Sequence, residues 1–339
     1  MTAQNQHYIP KFILRQFLEN ENKERVAVYD KHTEKVFITS IRNIMAERRF
    51  HDFAIDDWET SFEPIATKIE NEILPVYQKI LKTRHLENSK EERDAISVFI
   101  AFQFLRTRAR RDAQEALDKA IKGKIEQMGG DPENVQGWKA ASDEEIKIEH
   151  LLSMARDLDR YAQVVRAKDF LLIEAKPNQS FYLGDAAVGL ANQNDFGPYG
   201  NIGLAVVGIE IYVPLSSNLI LAAWCPSIVE QLKEHRDKAK KQAEKETFEA
   251  MFRGRISTEQ MKEILDFSKS TLEFTNQTIS HIANGMPLPC TDENLEYYNS
   301  IQCIYAHRYI ICKNKDFAIA KRHNKEFPKF RHGSHPVIS

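Results

Sequence analysis

Glycine and proline are scarce in this sequence. Its 339 residues include 13 Gly and 12 Pro, about 7% together against roughly 12% in average usage. Because both residues interrupt regular structure, their scarcity favours long helices over a turn-rich β architecture. No apolar run approaches the ~18 residues that a membrane span needs, and the polar residues 1–10 do not resemble a signal peptide. We therefore expect a soluble, cytoplasmic protein that contacts no membrane.

Neither charge sign dominates, and the cysteines form no metal-binding pattern. The 47 Lys and Arg residues nearly balance the 49 Asp and Glu residues. This balance excludes a wholly basic nucleic-acid coat but is compatible with a local basic groove. The four cysteines show no C-x-x-C spacing, so we predict buried thiols rather than disulfides or zinc ligands.

Several well-defined catalytic motifs are also missing. The sequence contains no P-loop, no G-x-G-x-x-G, no G-x-S-x-G, no H-E-x-x-H and no kinase signature. These absences argue against nucleotide-driven motors, α/β-hydrolases and zinc proteases.

Hydrophobic patterning predicts a mainly helical α+β fold with short antiparallel strands near the N-terminus. Residues 25–30 and 35–39 are rich in strand formers and flank a polar turn, which predicts a hairpin, with residues 49–53 as a third strand beside it. A second strand-rich segment lies around 170–224. Apolar steps of three and four predict helices that begin near residue 56, after Ser89 and after Ser142. The helix after Ser89 is expected to continue to Arg110.

Composition predicts one large domain with two appendages. We expect residues 1–320 to form a single α+β domain, from which the charged helical segment 230–275 projects. The charged helix 233–249 offers a surface for homo-oligomer formation. Residues 321–339 carry Lys, Arg and His with few apolar anchors, so we expect a mobile basic tail.

Three polar side chains in the N-terminal half are candidates for a site. His7 directly precedes a Tyr-Ile-Pro turn, and its imidazole suits general acid–base catalysis, although a capping or core-edge role fits equally. Phe99, Gln103 and Arg106 share one helix face, so this face passes from the core into a polar pocket. Arg106 offers forked donors for a carboxylate or phosphate. An exposed basic face is the alternative.

The C-terminal half contributes three further candidates. Asp185 ends an apolar strand just before a loop, where carboxylates often serve catalysis or metal binding, although it could also cap the turn. Period two places Glu210 beside Tyr212 on the less apolar face of a strand, which also fits solvent exposure. Arg308 interrupts an apolar run and requires a partner if it is buried.

The order of these motifs resembles a known family. The opening Gln6-His7-Tyr8-Ile9-Pro10 and the later polar motifs are similar to the bacterial family catalogued as domain of unknown function 4238, over about residues 4–315. The resemblance implies that six residues occupy the family's recurrent polar positions: His7, Gln103, Arg106, Asp185, Glu210 and Arg308. Where the family usually has Ser-Asp-x-Pro-Val, this chain has Gly184-Asp185-Ala186-Ala187-Val188. Asp185 is therefore retained, whereas the Ser and the Pro beside it are lost.

Two classes of function fit these residues. The first is a hydrolase, a nuclease or nucleotide phosphodiesterase of the kind used by bacterial toxins and defence effectors. In this hypothesis His7, Asp185 and Glu210 are catalytic, and the two carboxylates could hold magnesium or manganese. Gln103, Arg106 and Arg308 would then bind the nucleic acid or nucleotide substrate. The alternative is a non-catalytic binding or regulatory protein whose polar set is a buried structural network.

Overall fold

Helices and mostly antiparallel sheets share the chain in an α+β arrangement, as the sequence predicts. The computed structural model of the protein describes residues 5–20, 22–55, 58–135, 142–196, 200 and 202–334. Helices account for 53% and strands for 17% of the chain. Within the described ranges, no helix combines the length and the apolarity required to cross a membrane.

The N-terminal region is made of short elements. Its helix and strands are α1 (Lys11–Leu14), β1 (Asn5–His7), β2 (Arg25–Asp30), β3 (Lys35–Ser40), β4 (Ala46–Arg48), β5 (Asp52–Ile55) and β6 (Trp58–Ser61). Strands β2 and β3 pair antiparallel and confirm the predicted hairpin. The strand expected at 49–53 does not extend this hairpin, because β4 pairs with β1 and β5 pairs with β6.

Four long helices follow: α2 (Glu63–Thr83), α3 (Lys90–Leu105), α4 (Arg108–Gln127) and α5 (Asp143–Arg166). Two predicted helix starts are confirmed, since the hydroxyls of Ser89 and Ser142 accept backbone N–H bonds in the first turns of α3 and α5. Helix α2 starts later than predicted because the preceding residues pair in β6. The helix expected to reach Arg110 ends at Leu105, because Arg106 leaves helical geometry before α4 begins.

The rest of the described chain alternates strands and helices. Its strands are β7 (Asp169–Glu174), β8 (Leu183–Gly184), β9 (Gly189–Ala191), β10 (Glu210–Ser216), β11 (Leu219–Trp224), β12 (Leu288–Pro289) and β13 (Tyr309–Ile311). Its helices are α6 (Pro226–Phe252), α7 (Thr258–Thr271), α8 (Glu273–Ala283), α9 (Asp292–Tyr305) and α10 (Ala318–Glu326). All four cysteines are buried free thiols, as predicted.

A five-stranded sheet, ordered β12-β7-β11-β10-β9, forms the centre of the fold. Alternation along each strand sends side chains to both faces. One face packs against α2 and α3 through residues such as Tyr77 and Phe99. The opposite face packs against α8 and α9 through residues such as Ile282 and Tyr298. A second sheet, ordered β3-β2-β13-β8, joins the N-terminal hairpin to the C-terminal strand.

The C-terminal segment contacts the body of the protein beyond residue 321, where the sequence predicts a mobile tail. Residues 321–326, expected to belong to the tail, form part of helix α10. Further on, Arg331 donates hydrogen bonds to the backbone carbonyls of Lys31 and His32. The Lys31 ammonium in turn bonds the carbonyl of Phe330 at 2.6 Å. Ordered structure therefore continues to at least Arg331, and residues 335–339 lie outside the described part of the chain.

Candidate functional site

The six predicted site residues fall into three groups. One group lies against the N-terminal segment and contains His7, Gln103 and Arg106. A second group lies beside β13 and contains Asp185 and Arg308. Glu210 lies apart from both, on the central sheet. No hydrogen bond or ion pair found among the described residues joins Glu210 to either of the other groups. The structure therefore does not gather all six around a single pocket.

The first group belongs to a larger set that we name the Arg106 cluster. It consists of His7, His51, Glu63, Glu70, Gln103 and Arg106. The Arg106 side chain is fully buried, with its guanidinium 4.6 Å from the centroid of the Phe102 ring. Its Nε donates to Gln103 Oε1 at 3.0 Å and its Nη1 donates to Glu70 Oε1 at 2.7 Å. Its buried Nη2 has no hydrogen-bond partner in the described chain.

The break between α3 and α4 explains the position of this guanidinium. Gln103 lies in the last turn of α3 and donates to the backbone carbonyl of Tyr8 at 2.8 Å, which fixes the N-terminal segment against the helix. Arg106 is the first residue past the helix, where its chain turns back over Phe102. Burial lowers the pKa of Arg106, and the nearby Glu70 and Glu63 carboxylates oppose this shift, so the guanidinium remains charged.

An imidazole–carboxylate pair lies within electrostatic reach of this guanidinium through Glu63. His51 Nδ1 is 2.6 Å from Glu63 Oε2, and because a carboxylate only accepts, Nδ1 carries the proton. In the neutral ring the other nitrogen, Nε2, is an acceptor, and it is buried without a partner among the described residues. The same arrangement, in which a carboxylate orients an imidazole with a free acceptor nitrogen, occurs in general bases of hydrolases.

His7 completes the cluster at its outer side. It is half-buried on β1, and its Nε2 donates to the carbonyl of Ile41 at 2.9 Å, which leaves Nδ1 as the acceptor. Burial lowers the pKa of His7, and Lys11 adds to this effect, while Glu70 and Glu63 oppose it. His7 is therefore a neutral imidazole at neutral pH, within electrostatic reach of both glutamates.

The second group is built around Asp185, which is buried after β8. Its two carboxylate oxygens accept the backbone N–H groups of His307, Arg308 and Tyr309 at 2.7, 3.0 and 3.0 Å. Burial raises the pKa of this carboxyl, and His307 and the N–H bonds oppose the rise. Arg308 finds the partner that the sequence requires in Asp30, with a 2.9 Å bond from Nη2.

Helix α4 connects the first two groups. Arg111 in its first turn forms a two-pronged pair with Glu47 at 2.9 and 3.0 Å, and Glu47 lies opposite Gln6 in the β1–β4 pair. The next residue, Asp112, lies 3.4 Å from His307 Nε2. The two groups are thus neighbours along α4, but each has its own set of partners.

Glu210 forms the third group with aromatic side chains. Its side chain is buried, so the alternative of a solvent-exposed glutamate is wrong. Its carboxylate accepts a hydrogen bond from the Tyr212 hydroxyl on the same strand face, as the two-residue period of a strand predicts. Trp224 Nε1 donates to the same hydroxyl at 3.2 Å. Burial raises the pKa of the Glu210 carboxyl, while hydrogen bonds from Tyr212 and Tyr297 oppose the rise.

Asp185 and Glu210, the two carboxylates that could hold a divalent metal, are not brought together by this arrangement. Asp185 uses both oxygens on backbone N–H groups, whereas Glu210 is enclosed by tyrosines. In the ranges that the structure describes, no group of three or more His, Cys, Asp or Glu side chains is placed to hold a metal ion.

Sequence reasoning missed half of the Arg106 cluster. His51, Glu63 and Glu70 gave no motif, but Glu63 and Glu70 are seven residues apart, so they share a face of α2 with the buried Ala66 and Ile73. Acidic residues on the apolar face of an amphipathic helix are a usable signal for a buried cation. The position of His51 carries no such signal, because it depends on contacts between distant elements.

A wide cleft elsewhere on the molecule does not include these groups. It has a volume of about 940 Å³ and is lined mainly by residues 174–180 with His281, Lys313 and Asn314. The cleft is open and its walls carry no buried unpaired polar group of the kind seen at Arg106.

The fold and its buried polar clusters define an α+β protein without any recognised catalytic signature. The family model described as "Protein of unknown function (DUF4238)" matches residues 5–316, nearly the whole chain. The chain therefore belongs to this family, as its motifs indicate. No curated protein matches the sequence. No solved structure matches the fold.

Proposed function

We propose that the protein is a hydrolase that acts on a phosphodiester or nucleotide-like substrate at the Arg106 cluster. The observation that carries the proposal is the pair of unpartnered atoms in one cluster, Arg106 Nη2 and His51 Nε2. One is a charged donor and the other is an oriented acceptor. Together they supply an anion-binding group and a general base.

The chemistry would proceed as follows. Arg106 Nη2 binds a non-bridging phosphate oxygen and stabilises the charge that develops as water attacks phosphorus. His51 Nε2 accepts the proton of that water, with Glu63 stabilising the imidazolium at Nδ1. The imidazolium then returns the proton to the leaving oxygen, so a phosphodiester and water give a phosphomonoester and an alcohol. His7, neutral and within electrostatic reach of both glutamates, offers a second proton acceptor.

We infer that a substrate would approach the cluster from the side of α2. The Glu63 and Glu70 side chains are each 29% exposed, whereas Arg106 and His51 are fully buried behind them. A substrate that reaches Nη2 must displace or pass these two carboxylates. Glu70 is already paired with the Arg106 guanidinium, which limits its repulsion of an anionic substrate, whereas Glu63 is hydrogen-bonded to the His51 ring.

The direct test measures hydrolysis of bis(p-nitrophenyl) phosphate, single-stranded DNA and RNA by the purified full-length protein. His51→Gln is expected to lower kcat by about 10²–10⁴-fold, the range for loss of a general base, with only a small change in Tm. His323→Gln is the matched control, because His323 is also buried but lies outside the cluster. A wild-type protein inactive on all three substrates contradicts the proposal.

Expression in bacteria provides a second readout. A nucleic-acid or nucleotide hydrolase of the toxin or defence class should arrest growth when it is overproduced, and His51→Gln should relieve the arrest at equal protein level. Arrest that persists in the variant would assign the toxicity to another property of the chain.

A non-catalytic binding or regulatory protein is the second candidate. This candidate is favoured because three of the predicted site residues use their side chains in hydrogen bonds within the protein: Gln103, Asp185 and Arg308. In this case substitutions throughout the Arg106 cluster would lower Tm together, and no substrate would be turned over.

A further inference from the structure

Cys225 differs from the other three cysteines in its position and its exposure. The residue is 8% exposed, whereas Cys290, Cys303 and Cys312 are each at most 1% exposed. It follows β11 directly and is the N-cap of the 27-residue helix α6, which has Pro226 in its first turn. The partial positive charge at a helix N-terminus favours the anionic form of a nearby thiol.

The sulfur of Cys225 accepts a hydrogen bond, whereas two of the other thiols donate one. Ser227 Oγ donates to Cys225 Sγ at 3.2 Å. The thiols of Cys290 and Cys312 instead donate to oxygen acceptors, at 3.3 and 2.8 Å. Because a deprotonated sulfur can only accept, the surroundings of Cys225 suit the thiolate and those of the other two suit the thiol.

Lys168 lies across from Cys225 at the end of the central sheet. The antiparallel β7–β11 pairing ends with Asp169 opposite Trp224, so one further step sets Lys168 opposite Cys225. Lys168 is only 5% exposed, and its ammonium meets no hydrogen-bond acceptor or carboxylate in the described part of the chain. A buried ammonium requires a counter-charge. The anion within its electrostatic reach is the Cys225 thiolate.

The nearest carboxyl along the chain does not take the place of this thiolate. Strand alternation directs Asp169 and Lys168 to opposite sides. The charged groups that act on Asp169 are Arg93, Lys233 and Glu230, not Lys168. The buried ammonium therefore remains available to the sulfur.

The titration of the two groups agrees with this pairing. Burial alone would raise the pKa of the Cys225 thiol, but hydrogen bonds from Ser227 and from the backbone N–H of Gly208, together with the charge of Lys168, lower it. Burial lowers the pKa of the Lys168 ammonium, and Cys225 opposes this shift. By contrast, burial raises the pKa of the Cys290 thiol to about 11.

We propose that Cys225 is an oxidation site, at which a small hydroperoxide converts the thiolate paired with Lys168 into a sulfenic acid. A thiolate beside a cation is the form of cysteine that peroxides attack. The small exposed fraction of the residue favours hydrogen peroxide over bulkier oxidants. This inference is independent of the proposed hydrolase activity.

The reaction needs only the thiolate, the peroxide and one proton. The sulfur attacks one peroxide oxygen, so an S–O bond forms as the O–O bond breaks. The leaving hydroxide takes a proton from the Lys168 ammonium and becomes water, and the amine regains its proton from solvent. The sulfur is oxidised by two electrons, and the peroxide is reduced to water and the sulfenic hydroxyl.

The test exposes the reduced full-length protein to hydrogen peroxide at neutral pH and follows each cysteine separately. Catalase stops the reaction, the protein is unfolded, and the surviving thiols are alkylated and counted by peptide mass spectrometry. The pKa of Cys290 is about 11 and that of Cys225 lies below its usual value of 9.0, so the thiolate fraction is at least ~100-fold larger at Cys225. Because nucleophilicity falls with pKa, Cys225 is expected to be oxidised about tenfold faster than Cys290. Equal rates at the two residues overturn the proposal.

A substitution at Lys168 tests the ion pair. Lys168→Met should slow the oxidation of Cys225 by about three- to tenfold without lowering Tm, because the variant removes a buried charge. Lys168→Arg retains the charge and should keep most of the wild-type rate. Lys233→Met is the matched control, because Lys233 is exposed and acts on Asp169 instead. A Cys225 rate that is unchanged in Lys168→Met overturns the pairing.

The pH dependence of the wild-type rate gives a readout that requires no variant. Oxidation of Cys225 should reach half its maximal rate below pH 9.0, the usual pKa of a thiol. In Lys168→Met this midpoint should move to higher pH, since the thiolate loses its counter-ion. A wild-type midpoint above pH 9.0 overturns the proposal.

Discussion

Replacing Asp185 by Asn separates a structural role of this residue from a catalytic one. The carboxylate is buried and holds the backbone N–H groups of three consecutive residues, His307, Arg308 and Tyr309. An amide of the same shape has one acceptor oxygen and one donor group. It can keep the two bonds at the Oδ2 position, but it then presents its N–H₂ to the N–H of His307.

The expected cost follows from these contacts. One hydrogen bond to a charged group is lost, worth about 1.5–3 kcal/mol, and the two that remain lose their charge. Removing a buried charge recovers part of this cost, since burial itself disfavours the ionised carboxyl. We therefore expect Asp185→Asn to lower the free energy of unfolding by about 2–4 kcal/mol, a large share of the ~5–15 kcal/mol typical of a folded protein.

Urea unfolding followed by circular dichroism measures this change. Asp292→Asn is the control, because Asp292 also bonds nearby side chains but is exposed, and it should change stability by less than about 0.5 kcal/mol. If Asp185→Asn is as stable as the wild type while activity is lost, the structural assignment is wrong and Asp185 acts in catalysis.

Two further predictions concern pH and backbone geometry. Burial, together with His332 and His307, lowers the pKa of His32 to about 4, and burial lowers that of His323 to about 4. Because the unfolded chain binds these protons near pH 6.5, the free energy of unfolding should fall as pH is lowered from about 6.5 to about 4. His323→Gln should reduce the slope of this fall between about pH 6.5 and 5. An unchanged slope in the variant would contradict the prediction. Gly285 has a φ of +62°, and an added Cβ would meet the Leu86 carbonyl, so Gly285→Ala should lose about 1–3 kcal/mol in thermal unfolding. Gly254 has a φ of +67° and open space around it, so Gly254→Ala measures the backbone strain alone and should destabilise the protein less. Equal losses of stability in the two variants would exclude a contribution from the clash with Leu86.

Local patterns predicted the parts of the fold that depend on neighbouring residues. Ser89 and Ser142 mark helix starts because a serine hydroxyl caps an N–H three residues ahead. Glu210 and Tyr212 meet because side chains two apart on a strand share a face. The start of α2 was misplaced because the strand pairing of residues 58–61 competes with helical periodicity there.

The candidate site required more than these patterns. Gln103 and Arg106 were recognised from a shared helix face, and both prove to be buried in one cluster. Glu70, the partner of Arg106, and the His51–Glu63 pair were not recognised, because nothing in the sequence fixes which elements pack against the end of α3. The grouping of His7 with Arg106 but not with Glu210 is likewise a product of packing.

The sequence by itself determined the α+β class, the family, the helix caps and the polar residue types, because these depend on composition, order and contacts within a few residues. Only the tertiary structure decided which polar groups meet. Asp185 reaches backbone groups 122 to 124 residues away, and Arg106 reaches Glu70 across 36 residues. Such contacts follow from how sheets and helices pack, and no short-range pattern in the chain encodes them.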